Sequence, residues 1–155
     1  MSVTAFVMFV NLNQEFEMCY VSELAELSES KGHYEIDKER RLVTSTASGV
    51  ITLPEIWAHQ EKLAKDSDFD PSFAQLLDLT QVSKVEISSE EIRRVAGNSV
   101  FAINTRLAIV VSSNFVYGLA RMFQILRETN GDKGIQVFRE RDEALAWVLG
   151  RDGAD

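Results

Sequence analysis

Apolar and polar positions alternate along this chain in two distinct rhythms. From Tyr34 onward the rhythms take turns. Tyr34-Glu-Ile-Asp37, the polar Lys38-Glu-Arg-Arg41 and the β-branched run Leu42 to Val50 read as a hairpin, with Asp37 at the first position of its turn. Thr52-Leu-Pro-Glu55 then carries a capping-box pattern with proline in the first helical turn. Behind it Leu53, Ile56, Trp57, Gln60, Leu63 and Ala64 recur at helical spacing, predicting a helix to about Lys65. Phe69-Asp-Pro71 interrupts the pattern. Phe73 to Thr80 is short and apolar enough for a buried strand.

A second capping box, Ser88-Ser-Glu-Glu91, opens a helix with Ile92, Val95, Ala96 and Ser99 inward. Arg106 to Val111 is the clearest core strand. Ser112-Ser-Asn114 caps a long helix from Phe115 to about Thr129, stopped by Asn130-Gly131. In that helix Phe115, Leu119 and Met122 are expected to face the sheet, with Tyr117 and Arg121 on another face. Gly134 to Arg139 reads as the last strand and Asp142 to Leu149 as the last helix. Strands alternating with helices imply an α/β domain with a mixed, largely parallel sheet.

Residues 1–33 differ in character and read as an N-terminal extension, ordered or not, ahead of a domain over 34–150 and a tail of 151–155. The extension holds an apolar β-like piece, Thr4 to Val10, and a weak helical piece, Ser22 to Ser30. The domain pattern is complete without residues 1–32. Its first basic side chain is Lys31, so a positive leader region is missing, and the apolar run is far short of the ~20 residues of a membrane span. A cytoplasmic location is therefore expected.

Composition narrows the function classes. At 155 residues, 45% hydrophobic and 26% charged, the chain fits one globular domain. A net charge of −8 argues against nucleic acid and against anionic membrane surfaces. The single cysteine, Cys19, excludes an internal disulfide. No glycine-rich phosphate loop is present, and Gly131 and Gly134 fit a helix-to-strand turn. His33 and His59 are isolated, so neither metal nor cofactor is expected, and His59 reads as an ordinary surface or boundary residue of its helix. No catalytic constellation stands out.

Several segments together are similar to the SpoIIAA-like family: Tyr34-Glu-Ile-Asp-Lys-Glu-Arg-Arg-Leu-Val43, Asp68-Phe-Asp-Pro71, Leu76-Leu-Asp-Leu79, Tyr117-Gly-Leu-Ala-Arg-Met-Phe123, Val137-Phe-Arg139 and Asp142-Glu-Ala-Leu-Ala-Trp147. That family shares the fold of STAS and CRAL-TRIO domains. The resemblance implies a five-stranded mixed sheet with four helices over residues 34–150. It implies little about activity, and the first expectation is a non-catalytic interaction or regulatory domain of STAS type, with a protein partner or a second copy of the chain in a homodimer. The CRAL-TRIO likeness allows a carrier of a small apolar or amphipathic, lipid-like ligand instead.

Two places then invite a functional reading. Asp78 to Ser89 resembles the anti-anti-sigma loop, whose serine at a helix start is phosphorylated in regulatory members, and Ser88 and Ser89 fall near that place. Glu90 and Glu91 would repel a phosphate there, so plain helix capping competes. Thr80 and Ser83 at one strand end, Ser112, Ser113 and Asn114 at the next, and Tyr117 and Arg121 on the following helix could form a ligand or partner surface. Sites of open α/β sheets gather at such strand ends. Helix caps without a ligand are the plainer explanation.

Overall fold

The computed structural model describes residues 32–151, and the expectations for Thr4–Val10, Ser22–Ser30 and Cys19 lie outside them. Strand β1 (Gly32–Asp37) and strand β2 (Leu42–Thr52) form the expected antiparallel hairpin. Asp37 Oδ1 accepts the Arg40 N–H at 3.0 Å, and Arg41 takes a left-handed φ of 56° to close the turn. Strand β2 runs without a loop into helix α1 (Leu53–Ala64). The carboxylate of Glu55 accepts both the backbone N–H of Thr52, at 2.9 Å, and its hydroxyl, at 3.2 Å, which fixes the start of the helix.

Strand β3 (Ala74–Glu86) runs six residues past Thr80, where its apolar core ends. Its pairing with β2 shifts register twice, between Thr46 and Ser48 and between Gly49 and Val50, and each shift places an extra residue in β3. Every bulge resets the alternation of faces. The inward Val82 and Val85 therefore stand three apart, and the period of two that marks a strand is lost. Helix α2 (Ser89–Ala96) ends at Gly97, so Ser99, expected to face inward, lies beyond the helix and is exposed. Ile92 and Ala96 are buried as expected, whereas Ala64 of α1 is exposed.

Strand β4 (Leu107–Val110), helix α3 (Asn114–Thr129), strand β5 (Ile135–Phe138) and helix α4 (Arg141–Val148) complete the described chain. The sheet order is β1-β2-β3-β4-β5, parallel everywhere except the first pair, and β4 lies inside the sheet as expected. The fold is thus the five-stranded mixed sheet with four helices inferred from the sequence.

Its two faces are covered unequally. On one, α4 sets Ala144 and Val148 against Leu42, Leu76, Ala108 and Val110. On the other, α3 packs Val116 and Ala120 on Ile109, Val111 and Ile135, while α1 packs Leu63 on Val43 and Phe73.

Helix α3 is rotated by about one residue from the expected face. Val116, Ala120 and Gln124 are buried, whereas Phe115 is 60% exposed and Leu119 and Met122 are only half-buried. The small Ala120 lets the helix approach the sheet. Gln124 replaces apolar packing with hydrogen bonds from Nε2 to the Ile135 carbonyl (2.9 Å) and to Glu128 (3.0 Å). An alanine and a glutamine do not read as core, while a phenylalanine does.

The α3–β5 turn is pinned by Asp132. Its carboxylate pairs with Arg127 and accepts the N–H groups of Asn104 and Gly134, each at 3.1 Å. Gly131 has φ +95°, and a Cβ on Gly134 would stand 2.3 Å from the Thr105 carbonyl oxygen, so both glycines answer to backbone geometry.

Truncation of Leu76, which is fully buried between the layers, is expected to cost about 2–5 kcal/mol in Leu76→Ala. Phe115→Ala should change stability by less than about 0.5 kcal/mol, because its ring is mostly in water. Urea titration of the two variants distinguishes these outcomes, and a larger loss at Phe115 would contradict the observed helix phase.

Candidate functional site

Helices α1, α2 and α3 roof one face of the sheet without closing on its middle. A cavity of about 1070 Å³ lies between them. That is just above the roughly 300–1,000 Å³ typical of small-molecule sites. Leu77, Leu79 and Ile109 form its floor, Ile92 and Val95 its α2 wall, and Val116, Leu119 and Phe123 its α3 wall. The lining is mostly apolar because successive inward positions of parallel strands are apolar.

One end of this cavity is polar. Ser45 and Gln75 occupy inward positions on β2 and β3, where an apolar residue would be usual. Ser45 is 1% exposed. Its Oγ accepts from Gln75 Nε2 at 3.1 Å and lies 3.1 Å from His59 Nε2 of α1. A hydroxyl donates once and accepts twice, so His59 Nε2 either accepts the Ser45 proton or donates to Ser45 according to its tautomer. Burial, followed by the nearby charges of Lys62 and His33, lowers the His59 pKa below 6.5.

Tyr34 of β1 meets the His59 ring edge-on at 5.6 Å and donates its hydroxyl to Asp66 Oδ2 at 2.9 Å. Burial and the Asp66 carboxylate push the Tyr34 pKa up to about 12. Asp66 is in turn held below the usual carboxylate range by the Asp68 N–H and the Tyr34 hydroxyl. The sequence reading placed none of Tyr34, Ser45, His59 or Gln75 in a site. The available signal was a polar residue at an inward position on each of two neighbouring strands.

The surface expected at the strand ends is partly assembled. Ser112 Oγ donates to the Thr80 carbonyl at 2.9 Å, Ser113 Oγ caps α3 by accepting the Val116 N–H at 3.1 Å, and Asn114 accepts from Arg139 at 2.8 Å. The Arg139 guanidinium lies over the Tyr117 ring, 4.5 Å from its centre. Tyr117 is half-buried and joins the core under α3. Arg121 turns away to bond Gln124, and Ser83 is exposed in the bulged part of β3.

Two residues that were not anticipated stand here. Asp78 accepts the Thr80 hydroxyl (2.6 Å) and N–H (2.9 Å) and pairs with Arg141. Burial opposes its ionisation, but these hydrogen bonds prevail and lower its pKa. At the start of α2, Ser88 is the N-cap. Its Oγ accepts the Glu91 N–H at 3.2 Å, and Glu91 returns a bond from the Ser88 N–H at 2.8 Å, while Ser89 is the exposed first helical residue.

Comparison with protein-family models finds no match, and comparison with curated proteins finds none either. Solved structures are similar. An uncharacterized protein of the DUF3478 family with a SpoIIAA-like fold, from Shewanella loihica PV-4, is 15% identical with a TM-score of 0.49, covering 76% of this chain and 93% of its own. An anti-sigma factor antagonist from Mycobacterium paratuberculosis is 18% identical with a TM-score of 0.47, covering 78% of this chain and 97% of its own. The likeness is one of fold. Among the described residues, no helix is long and apolar enough to cross a membrane.

The buried histidine makes stability depend on pH. Its folded pKa lies below the unfolded value of 6.5, so the unfolded chain binds the extra proton first. Its contribution is present above that value and is lost as pH falls toward the folded pKa. Urea titrations at about pH 8 and about pH 5.5 should therefore show a larger loss for the unaltered chain than for His59→Gln. Equal losses would mean that His59 is not held neutral.

Proposed function

We propose that this domain is a non-catalytic binding module that houses a small apolar or amphipathic ligand between its sheet and its three-helix roof. The observation that carries this reading is the cavity of about 1070 Å³, apolar along its middle, with Ser45, Gln75 and His59 at one end and Arg127 and Asp132 at the other. A close-packed interior holds few voids larger than a water molecule. Forgoing that much packing contact is a standing cost to the fold, and a ligand that fills the space offsets it.

The neutral dye N-phenylnaphthylamine, which brightens in apolar surroundings, tests the reading directly. The purified domain should enhance its emission with a saturable isotherm. Leu119→Trp, which puts a large ring into the cavity from a half-buried position, should weaken uptake about tenfold or more while the urea midpoint shows a folded protein. Native mass spectrometry of the purified protein should also reveal an extractable lipid-like mass. No dye uptake and no bound mass would remove the reading.

A second reading, an interaction or regulatory domain that docks a protein partner or a second copy, rests on a different observation. Phe115 stands 60% exposed at the start of α3, next in the chain to Asn114, which accepts from Arg139. If this surface is used, Phe115→Arg abolishes partner capture, or shifts a sedimenting dimer to monomer, and leaves dye uptake unchanged. Unchanged capture and sedimentation in this variant would set that reading aside.

A further inference from the structure

The polar end of the cavity has a chemistry of its own. Ser45 is sealed beneath its neighbours, so it acts as a positioning residue, holding the Gln75 amide and the His59 ring through two hydrogen bonds of 3.1 Å. Those two residues remain half-buried on the cavity wall. Gln75 Oε1 takes no hydrogen bond from a described residue, and neither does His59 Nδ1, which faces Gly32 near the rim. With Ser45 donating to His59, the wall offers one acceptor, Gln75 Oε1, and one donor, His59 Nδ1–H. With the amide and the imidazole tautomer both reversed, the wall again offers one of each, and with both groups donating to Ser45 it offers two acceptors, so a head that can both donate and accept fits every arrangement.

The charges around this end disfavour an ion. Lys65 is engaged with Glu61 at 3.2 Å, and Lys62 is exposed. At the far end Arg127 pairs with Asp132 and donates to the Ala96 carbonyl, while its Nε is buried without a hydrogen-bond partner among the described residues. Asp66, bonded to the Tyr34 that abuts the His59 ring, and Glu61 of α1 also line the cavity, and Glu61 Oε2 is buried without a hydrogen-bond partner among the described residues. An anionic head at this end would add to these carboxylates, opposed only by the solvent-exposed and therefore screened charges of Lys62 and Lys65. A wholly apolar ligand would leave the Gln75 amide oxygen unpaired.

We propose that the cavity selects a single-chain amphiphile with an uncharged hydrogen-bonding head, of the alcohol or primary amide class. The head docks on Gln75 and His59, and the chain lies along Leu77, Ile109, Val116 and Phe123. This rests on the ligand-housing reading above and adds the identity of the head group.

Displacement of bound N-phenylnaphthylamine at about pH 8 by decanol, decanoate and chlorodecane separates the two claims. Decanol should displace the dye at a concentration about tenfold or more below decanoate. In Gln75→Leu, decanol should weaken about tenfold while chlorodecane and the dye bind as before. His59→Phe should act in the same direction, providing a second variant if the first fails to fold. Equal displacement by decanol and decanoate overturns the head-group assignment alone. So does a loss in both variants that is equal for decanol and chlorodecane, or no loss in either. Failure of the unaltered domain to take up the dye overturns the ligand-housing reading and this proposal together.

Discussion

Three of the four strand pairs in this sheet are parallel, and a parallel sheet has to be covered on both faces. Everything else in the domain answers to that requirement. A single eight-residue helix, α4, covers the middle of one face with alanine and valine in direct contact. The other face is assigned three helices, and they sit at its margins. Helix α1 packs over β1 and β2, α3 over β5 and part of β3, and α2 leans on α3. The middle is spanned but not filled. The cavity is what remains when the crossover helices are anchored at the two sides of the sheet they must roof.

Much of this architecture was legible in the sequence because its signals are local. The Asp37 turn, the Thr52 and Ser88 helix starts and the Asn130-Gly131 stop each act within four residues, and each holds in the structure. The errors come from residues whose role is set by distant neighbours. Gln124 is buried because the Ile135 carbonyl needs a donor, and Ala120 because α3 approaches Val111 and Ile109. Neither need is visible in the helix alone, so the rotation of α3 was misjudged. The length of β3 was hidden by the opposite effect, since its bulges exist only in relation to β2.

The candidate site follows the same division. Ser112, Ser113 and Asn114 could be found from one strand-to-helix junction, and Ser112 does meet Thr80. The polar end of the cavity could not be found that way. Its members come from β1, β2, α1 and β3, and Ser45 meets Gln75 only because β2 and β3 pair in parallel in one register. His59 illustrates the difficulty: a lone histidine on a helix carries no meaning until a buried hydroxyl on another element orients it.

The loosely filled roof also bears on how the domain would respond to compression. Unfolding under hydrostatic pressure is driven by the loss of internal void volume, and the volume change scales with the space the fold encloses. The cavity is partly open to solvent, so the share of it that water does not fill is what should make this domain softer under pressure than a fully packed one. A ligand chain lying along the floor would replace that compressible space with matter. Occupancy would then register as mechanical stiffness of the whole α1–α2–α3 layer, far from the residues that touch the head group.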